Sequence, residues 1–203
     1  MTLIEAAQAN VAAANAPEAR RAMISSQLRT SGVNEPWVLA AMSQVAREDY
    51  VPQDMRAAAY IDRAIPLGNG RFLAAPLVQG RMLAEARPTK DDTVLLVGDG
   101  EGYLAALLRS LAGAVEAVDP ADAAGTSGGE VSLVVIDGAV EELPEALCAR
   151  LADGGRVVTG LMVRGVSRLA TGCKAAGKVS LLPLAEIGIP TLPEFAAPKR
   201  WSF

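Results

Sequence analysis

Residues Thr93 to Asp119 constrain the fold more than any other stretch of the chain. Thr93 to Val97 is a short apolar, β-branched run, suited to a strand buried on both faces of a parallel sheet. Gly98, Gly100 and Gly102 follow at alternate positions, where glycine lets the backbone turn sharply and lets a ligand come close to it. Tyr103 to Ala112 reads as a helix, with Leu104, Leu107, Leu108 and Leu111 at helical spacing and Gly113 as the stop. Ala114 to Val118 is a second strand, tipped by Asp119. Strand, glycine turn, helix, and a second strand ending in a carboxylate make half of a nucleotide-binding α/β unit. In such a unit the turn meets the ligand's polar tail and the carboxylate accepts hydrogen bonds from ribose hydroxyls.

Three readings compete for this unit. A dinucleotide fingerprint requires glycine where this chain has Tyr103. It also sets a pyrophosphate on the helix N-terminus, where Asp99 and Glu101 would oppose it. S-adenosylmethionine carries a sulfonium, an ammonium and no phosphate, so neighbouring acids are compatible with it. The third reading is a glycine turn that only packs a helix on a sheet.

At 203 residues, with 51% hydrophobic and 21% charged side chains, the chain can form one domain with a sizeable core. It divides into a helical and substrate-loop region over 1–88 and a cofactor region over 89–203. A formal charge of −4 gives no support for nucleic acid or an acidic membrane surface as partner. No apolar run reaches membrane-spanning length, and Glu5 and Gln8 interrupt the N-terminal apolar stretch, so neither a span nor a secretory signal is expected. Cys148 and Cys173 are isolated and fit reduced thiols of a cytoplasmic protein. The sequence contains no histidine, which removes Ser-His-Asp and Cys-His catalysis, histidine-ligated metals and the commonest general base. No metal site is expected. The remaining chemistry runs on carboxylates, hydroxyls, backbone dipoles or the reactivity of a bound cofactor. Methyl transfer fits that limit, because the sulfonium is already activated and the enzyme mainly aligns a nucleophile with it.

Around this unit, Met1 to Ala16 reads as a weakly amphipathic helix broken by Pro17, and Glu18 to Leu28 as a helix with a basic face. A further helix contains Val38, Leu39, Met42 and Val45, with Asn34 as its cap and Pro36 in its first turn. Ala57 to Pro76 reads as a loop that packs, and Leu77 to Ala86 as a helix. Val131 to Ile136 is a buried strand ending at Asp137-Gly138. Glu141 to Leu151 is a helix, Arg156 to Val163 a strand, and Ser167 to Thr171 with Lys178 to Ala185 a terminal hairpin. Trp201 and Phe203 are expected to dock the tail.

Several of these segments carry a resemblance. Arg21-Ala22-Met23, Gln27-Leu28, Val38-Leu39-x-Ala41-Met42, Tyr50-Val51-Pro52, Ala59-Tyr60-x-Asp62, Pro66-Leu67-Gly68-x-Gly70 and Pro76 follow one another as in protein-L-isoaspartate O-methyltransferases. So do Val97-Gly98-x-Gly100-x-Gly102-Tyr103 and Asp153-Gly154-Gly155-Arg156-Val157-Val158. Leu192-Pro193-x-Phe195-Ala196-x-Pro198 resembles one bacterial branch of that family. The resemblance implies a Rossmann-like α/β methyltransferase sheet, mostly parallel, with a C-terminal antiparallel hairpin and an N-terminal helical segment. It also implies S-adenosyl-L-methionine as cofactor and methyl transfer to the side carboxylate of isoaspartyl residues in peptides and proteins, the first step in their repair.

By the same resemblance, Gly98, Asp99, Gly100, Glu101 and Gly102 border the methionine side of the cofactor and Asp119 holds its ribose. Arg63 and Arg71 are candidates to attract the substrate carboxylate, and Asp137 to approach the reacting centre. The chain departs from the family pattern at four places. Ala74 stands where the family has a serine near the reacting methyl. Leu96 stands where it has an acid that meets the cofactor's ammonium, and Glu101 where it has a small or hydroxyl residue. Only eleven residues, Pro120 to Glu130, separate Asp119 from the next strand. Fully extended they reach roughly 36 to 40 Å, enough to return past one strand. They leave no room for a helix as well as a strand, since a helical crossover alone takes about ten to twelve residues. One helix-strand unit of the sheet is therefore expected to be missing, leaving the adenine side open. The alternative reading is a catalytically inactive homologue that keeps the fold as a binding or structural module.

Overall fold

The computed structural model describes residues 15–197. The expected helix over Met1 to Ala16 lies almost wholly outside the described residues, as do Trp201 and Phe203. Helix α1 covers 15–23 and widens into a π-type turn at Ile24–Leu28, with Met23 and Leu28 fully buried. Helix α2 is Pro36–Gln44. Its capping position falls on Glu35, not Asn34, because Pro36 occupies the first helical position. The Asn34 N–H instead donates to the Glu35 carboxylate.

Two 3-10 turns, Arg47–Tyr50 and Gln53–Ala58, lead to a small hairpin of β1 (Ile65–Gly68) and β2 (Arg71–Leu73). The segment read as a packed loop is thus partly paired. Strands of four and three residues are too short to show alternation. Gly68, Asn69 and Gly70 all take positive φ, at 95°, 50° and 75°, and reverse the chain between them. Helix α3 (Pro76–Ala86) follows, its Leu77 N–H bonded to the Asp62 carboxylate.

The main sheet is built from β3 (Thr93–Val97), β4 (Ala114–Val118), β5 (Val131–Val140), β6 (Leu151–Val163), β7 (Val166–Ala175) and β8 (Lys178–Glu186). Their order is β4-β3-β5-β6-β7-β8, parallel from β4 to β6 and antiparallel from β6 to β8. Helix α4 (Tyr103–Leu111) joins β3 to β4. Alternate residues of β3 serve two cores. Val94 and Leu96 pack with the core built from α1 to α4, while Leu95 and Val97 pack with Leu147, Leu192 and Phe195. The buried strand, glycine turn and helix follow the expectation closely.

Three boundaries differ. Helix α5 spans only Glu145–Arg150, not 141–151. The N–H groups of Glu141 and Glu142 donate to the Phe195 carbonyl, which ties that stretch to the C-terminal segment. Strand β5 continues past Ile136 to Val140, with a register irregularity between Val135 and Ala139. Asp137 therefore sits in a bulged stretch, a device that re-aims side chains at sheet edges and sites. Strand β6 begins at Leu151, earlier than Arg156, again with a shift in register.

Between β4 and β5 the chain forms only a 3-10 turn at Ala123–Gly125, so the expected helix-strand unit is absent and β4 is the sheet's edge. No described helix is long and apolar enough to cross a membrane.

Candidate functional site

The parallel strands end on one side of the sheet in a cleft of about 580 Å³. The glycine turn after β3, the tips of β4 and β5, the β1–β2 hairpin and the strap Pro190–Glu194 line it. Ligands of open α/β sheets bind at this carboxyl end of the strands. The strap is tied down by backbone bonds: Ala139 donates to the Pro190 carbonyl at 2.8 Å and accepts from the Leu192 N–H at 2.9 Å. Leu192 lies so close to Gly138 that a Cβ there would sit 2.5 Å from it.

Close approach favours glycine in the turn. A Cβ on Gly98 would lie 3.1 Å from the Asp137 Cβ, and one on Gly100 would lie 3.1 Å from the Ala117 Cβ. The Asp99 carboxylate accepts the Glu101 N–H at 2.9 Å, so it braces its own turn. Glu101 points away: its side chain is 93% exposed and pairs loosely with Arg109 at 3.7 Å. A carboxylate so exposed is largely screened by solvent from any anionic group held in the turn.

Asp119 accepts from Arg71 at 2.9 Å and from the Ala121 N–H at 2.9 Å. Arg71 also reaches Glu194 of the strap at 3.1 Å, so one guanidinium links hairpin, β4 and strap across the cleft. Arg63 is exposed and is not part of the cleft lining. Ala74 is buried, at 2% exposure, and its side chain does not line the cleft either.

Beneath the cleft lies a polar floor that the sequence did not announce. Arg47 is fully buried and donates to the carbonyls of Ala59 and Ala74 and to the Gln79 side chain. Its guanidinium carbon lies 5.1 Å from the centre of the Tyr103 ring, a cation–π contact. The Tyr50 ring meets Tyr103 edge-on at 5.6 Å. Burial lowers the Arg47 pKa to about 10, against the attraction of Tyr103 and Asp137. Asp137 lines the cleft and keeps partial exposure, yet its Oδ1 is sealed without a hydrogen-bond partner. Burial pushes its pKa up to about 6; Arg47 opposes that rise and Asp99 adds to it.

The structure thus gathers Gly98 to Gly102, Asp119, Asp137 and Arg71 into one cleft, and leaves Arg63 and the Ala74 side chain outside it. Arg47 and Glu194 were not singled out from the sequence. A lone arginine before Tyr50-Val51-Pro52 carries no pattern that marks it as buried. No cluster of metal-ligating side chains occurs among the described residues.

A mostly parallel sheet with a glycine turn, a helix and a carboxylate at the tip of the next strand defines the nucleoside-binding α/β class. The comparisons with known proteins narrow that class. Residues 18–120 match the family model for protein-L-isoaspartate(D-aspartate) O-methyltransferase. The protein-L-isoaspartate O-methyltransferase of Methanoculleus marisnigri is 32% identical, over 87% of this chain and 92% of the relative. That of Aeropyrum pernix is 38% identical, over 90% of this chain and 60% of the relative. In fold, the chain matches a Plasmodium falciparum protein-L-isoaspartate O-methyltransferase crystallised with S-adenosyl-L-homocysteine. The TM-score is 0.70 at 17% identity, covering 86% of this chain and 98% of that one. The chain belongs to the protein-L-isoaspartate O-methyltransferase family.

Proposed function

We propose that this protein transfers the methyl group of S-adenosyl-L-methionine to the side carboxylate of isoaspartyl residues in peptides and proteins. Family membership carries the reaction, and the charge of the cleft carries the choice of cofactor. Among the described residues, Asp49, Asp99, Asp119, Asp137 and Glu194 line the cleft, with Glu101 turned to solvent at its rim, against one guanidinium, Arg71. That surface suits a ligand bearing a sulfonium and an ammonium, and opposes a pyrophosphate. The orphaned Asp137 oxygen at the floor is a further acceptor awaiting a donor. The residues present therefore fit this cofactor.

When bound, the cofactor supplies an already activated methyl group. The protein's part is to bind and orient. Gly98 to Gly102 border the amino-acid side and Asp119, at the tip of β4, is the acceptor for ribose hydroxyls. Asp137 approaches the reacting centre from below. Arg71 is the one cation lining the cleft among the described residues and the residue to meet an incoming carboxylate, which it can do bidentately. Its present partners do not prevent this. Arg71 and Asp119 side chains are 34% and 53% exposed, and pairs of that kind contribute only about 0.2 to 1 kcal/mol. Ala74 offers no hydroxyl, so transfer relies on alignment rather than on a serine beside the acceptor. The free thiols Cys148 and Cys173 suit a cytoplasmic setting.

Thermal shift with the cofactor is the test of this reading. At a hundred times its dissociation constant a ligand stabilises the fold by about 2.7 kcal/mol. Stabilisation by S-adenosylmethionine and not by a nicotinamide dinucleotide supports the assignment. No shift at millimolar S-adenosylmethionine would point instead to a module that has kept the fold without the cofactor.

A further inference from the structure

Two polar atoms at the cleft floor are left without partners by the fold. The Oδ1 of Asp137 and the hydroxyl of Tyr103 are both buried and unbonded, and both residues line the cleft. Tyr103 is only 1% exposed. Carboxylates elsewhere are well supplied with donors: Asp92 takes Ser132, Thr89 and Arg156, and Glu116 takes two nitrogens of Arg150. Arg47 attracts Asp137 through space, but its hydrogen bonds go to Ala59, Ala74 and Gln79. A buried carboxylate oxygen with no donor is costly to keep, and the residue that bears it is partly exposed and lines a binding cleft.

Resting on the reading of this cleft as an adenosyl-cofactor site, we propose that Asp137 is the anionic seat for the α-ammonium of the cofactor's amino-acid tail, with the Tyr103 hydroxyl as a second, neutral contact for that tail. The other cleft acids are otherwise engaged. Asp99 braces its own turn, Asp119 and Glu194 share Arg71, Glu101 is turned to solvent, and Asp49 is exposed at the rim. Strand β3 supplies no acid, because Leu96 is fully buried in the core. Leu96 pairs with Val135 of β5, and Asp137 stands two residues further along that strand, in the bulged stretch before Ala139, with its Cβ against Gly98. An ammonium brings three donors to this under-supplied carboxylate, whereas a carboxylate or phosphate there would meet Asp137 and Asp99 together. The role that an acid on β3 would play thus falls to the neighbouring strand.

The charged groups acting on Asp137 are Arg47, from the turn before Tyr50, and Asp99, from the glycine turn. Tyr103, on α4, and Tyr50, packed edge-on against it, are the remaining titratable side chains of the floor. With its pKa raised toward 6, Asp137 must be ionised to seat an ammonium, so tail binding weakens as pH falls through that value.

Calorimetry with S-adenosylhomocysteine and 5′-deoxy-5′-methylthioadenosine tests this, since the two share the nucleoside and thioether and differ in the amino-acid tail. Asp137→Asn is expected to weaken S-adenosylhomocysteine by about tenfold or more, as expected for a lost charge-assisted bond. It should leave methylthioadenosine within about twofold, and Tyr103→Phe should weaken only the tailed ligand, by a smaller factor. In the unsubstituted protein, affinity for the tailed ligand should fall between pH 7 and 5; in Asp137→Asn that fall should vanish. Equal losses for both ligands, or unchanged affinity for S-adenosylhomocysteine, would overturn the proposal while leaving the cofactor site standing. If the unsubstituted protein binds neither ligand, the reading of the cleft fails and this proposal fails with it.

Discussion

Arg47 and Asp137 set opposite charges under the same cleft without an ion pair between them. Arg47 gives its fork to two carbonyls and the Gln79 amide, so the chain before β1, the residue after β2 and helix α3 converge on one guanidinium. Lysine lacks that planar fork. Arg47→Lys should therefore cost about 3 kcal/mol of unfolding free energy, as breaking a buried charged network does, read by urea denaturation at constant m-value. A loss under 1 kcal/mol would show that the fork bears little load. Asp137 behaves oppositely. Its folded pKa is raised, so the unfolded chain holds fewer protons between the ordinary carboxylate range and pH 6. Its contribution to stability is thus unfavourable above pH 6 and fades as pH falls toward 4. Asp137→Asn should raise the melting temperature by a few degrees at pH 7.5 and leave it unchanged near pH 4. A lowered melting temperature at pH 7.5 would contradict the burial argument. Asp137 was legible in the sequence because it follows a β-branched run. Arg47 was not, since one of nineteen basic residues gives no sign of being buried.

At the level of elements, periodicity revealed what was long and apolar and missed what was short. Strand β3 and helix α4 were readable from Thr93 to Leu111 because four leucines recur at helical spacing behind a β-branched run. The β1–β2 hairpin escaped, its pairing resting on the Gly68-Asn69-Gly70 reversal rather than on alternation. Helix α5 was read too long because Pro144 takes the capping position and disfavours helical geometry in the residue before it, while the Glu141 and Glu142 N–H groups bond to the Phe195 carbonyl, fifty-odd residues away. Asp92 anchors the opposite end of the sheet. It joins the start of β3 to Ser132 on β5 and Arg156 on β6, at 2.6 and 2.8 Å, and its pKa is depressed below the usual range by Ser132, Thr89 and Arg156 despite burial. That contribution is present above the unfolded pKa and lost as pH falls through the lower folded value. Asp92→Asn should cost about 2 to 3 kcal/mol at pH 7, measured by chemical denaturation, with the difference from the parent shrinking below pH 4. Arg71 makes an element-level prediction of a different kind. Removing it frees Asp119 and takes from the cleft the one cation that its described residues supply, so Arg71→Ala should raise KM for an isoaspartyl peptide by about tenfold or more. Cofactor affinity should stay level or improve. A loss confined to cofactor affinity would reverse the role assigned to Arg71.

The whole molecule is uneven in its cover. Helices α1 to α4 pad one face of the sheet, while the other has α5, the Ala123 turn and the C-terminal strap. Among the described residues no further strand lies beyond β4, and Pro120 is the last of them on that side to line the cleft. Eleven residues in the sequence were enough to foresee this, because chain length bounds reach regardless of packing. What sequence could not foresee is that the strap would cross back to β5 and bond to Ala139. A cleft open at its nucleoside side should accept adenosyl cofactors carrying a bulky N6 substituent with affinity within about threefold of the parent, since no wall desolvates that edge. Competition binding with an N6-benzyl analogue checks this, and its exclusion would mean that the base is enclosed. The most direct measurement is transfer of labelled methyl from S-adenosylmethionine to an isoaspartyl peptide, beside the same peptide carrying ordinary aspartate. The account predicts incorporation into the isoaspartyl peptide alone, as a base-labile ester. Cofactor bound at Asp119 and Asp137 with no label in either peptide, or equal labelling of both, would contradict it.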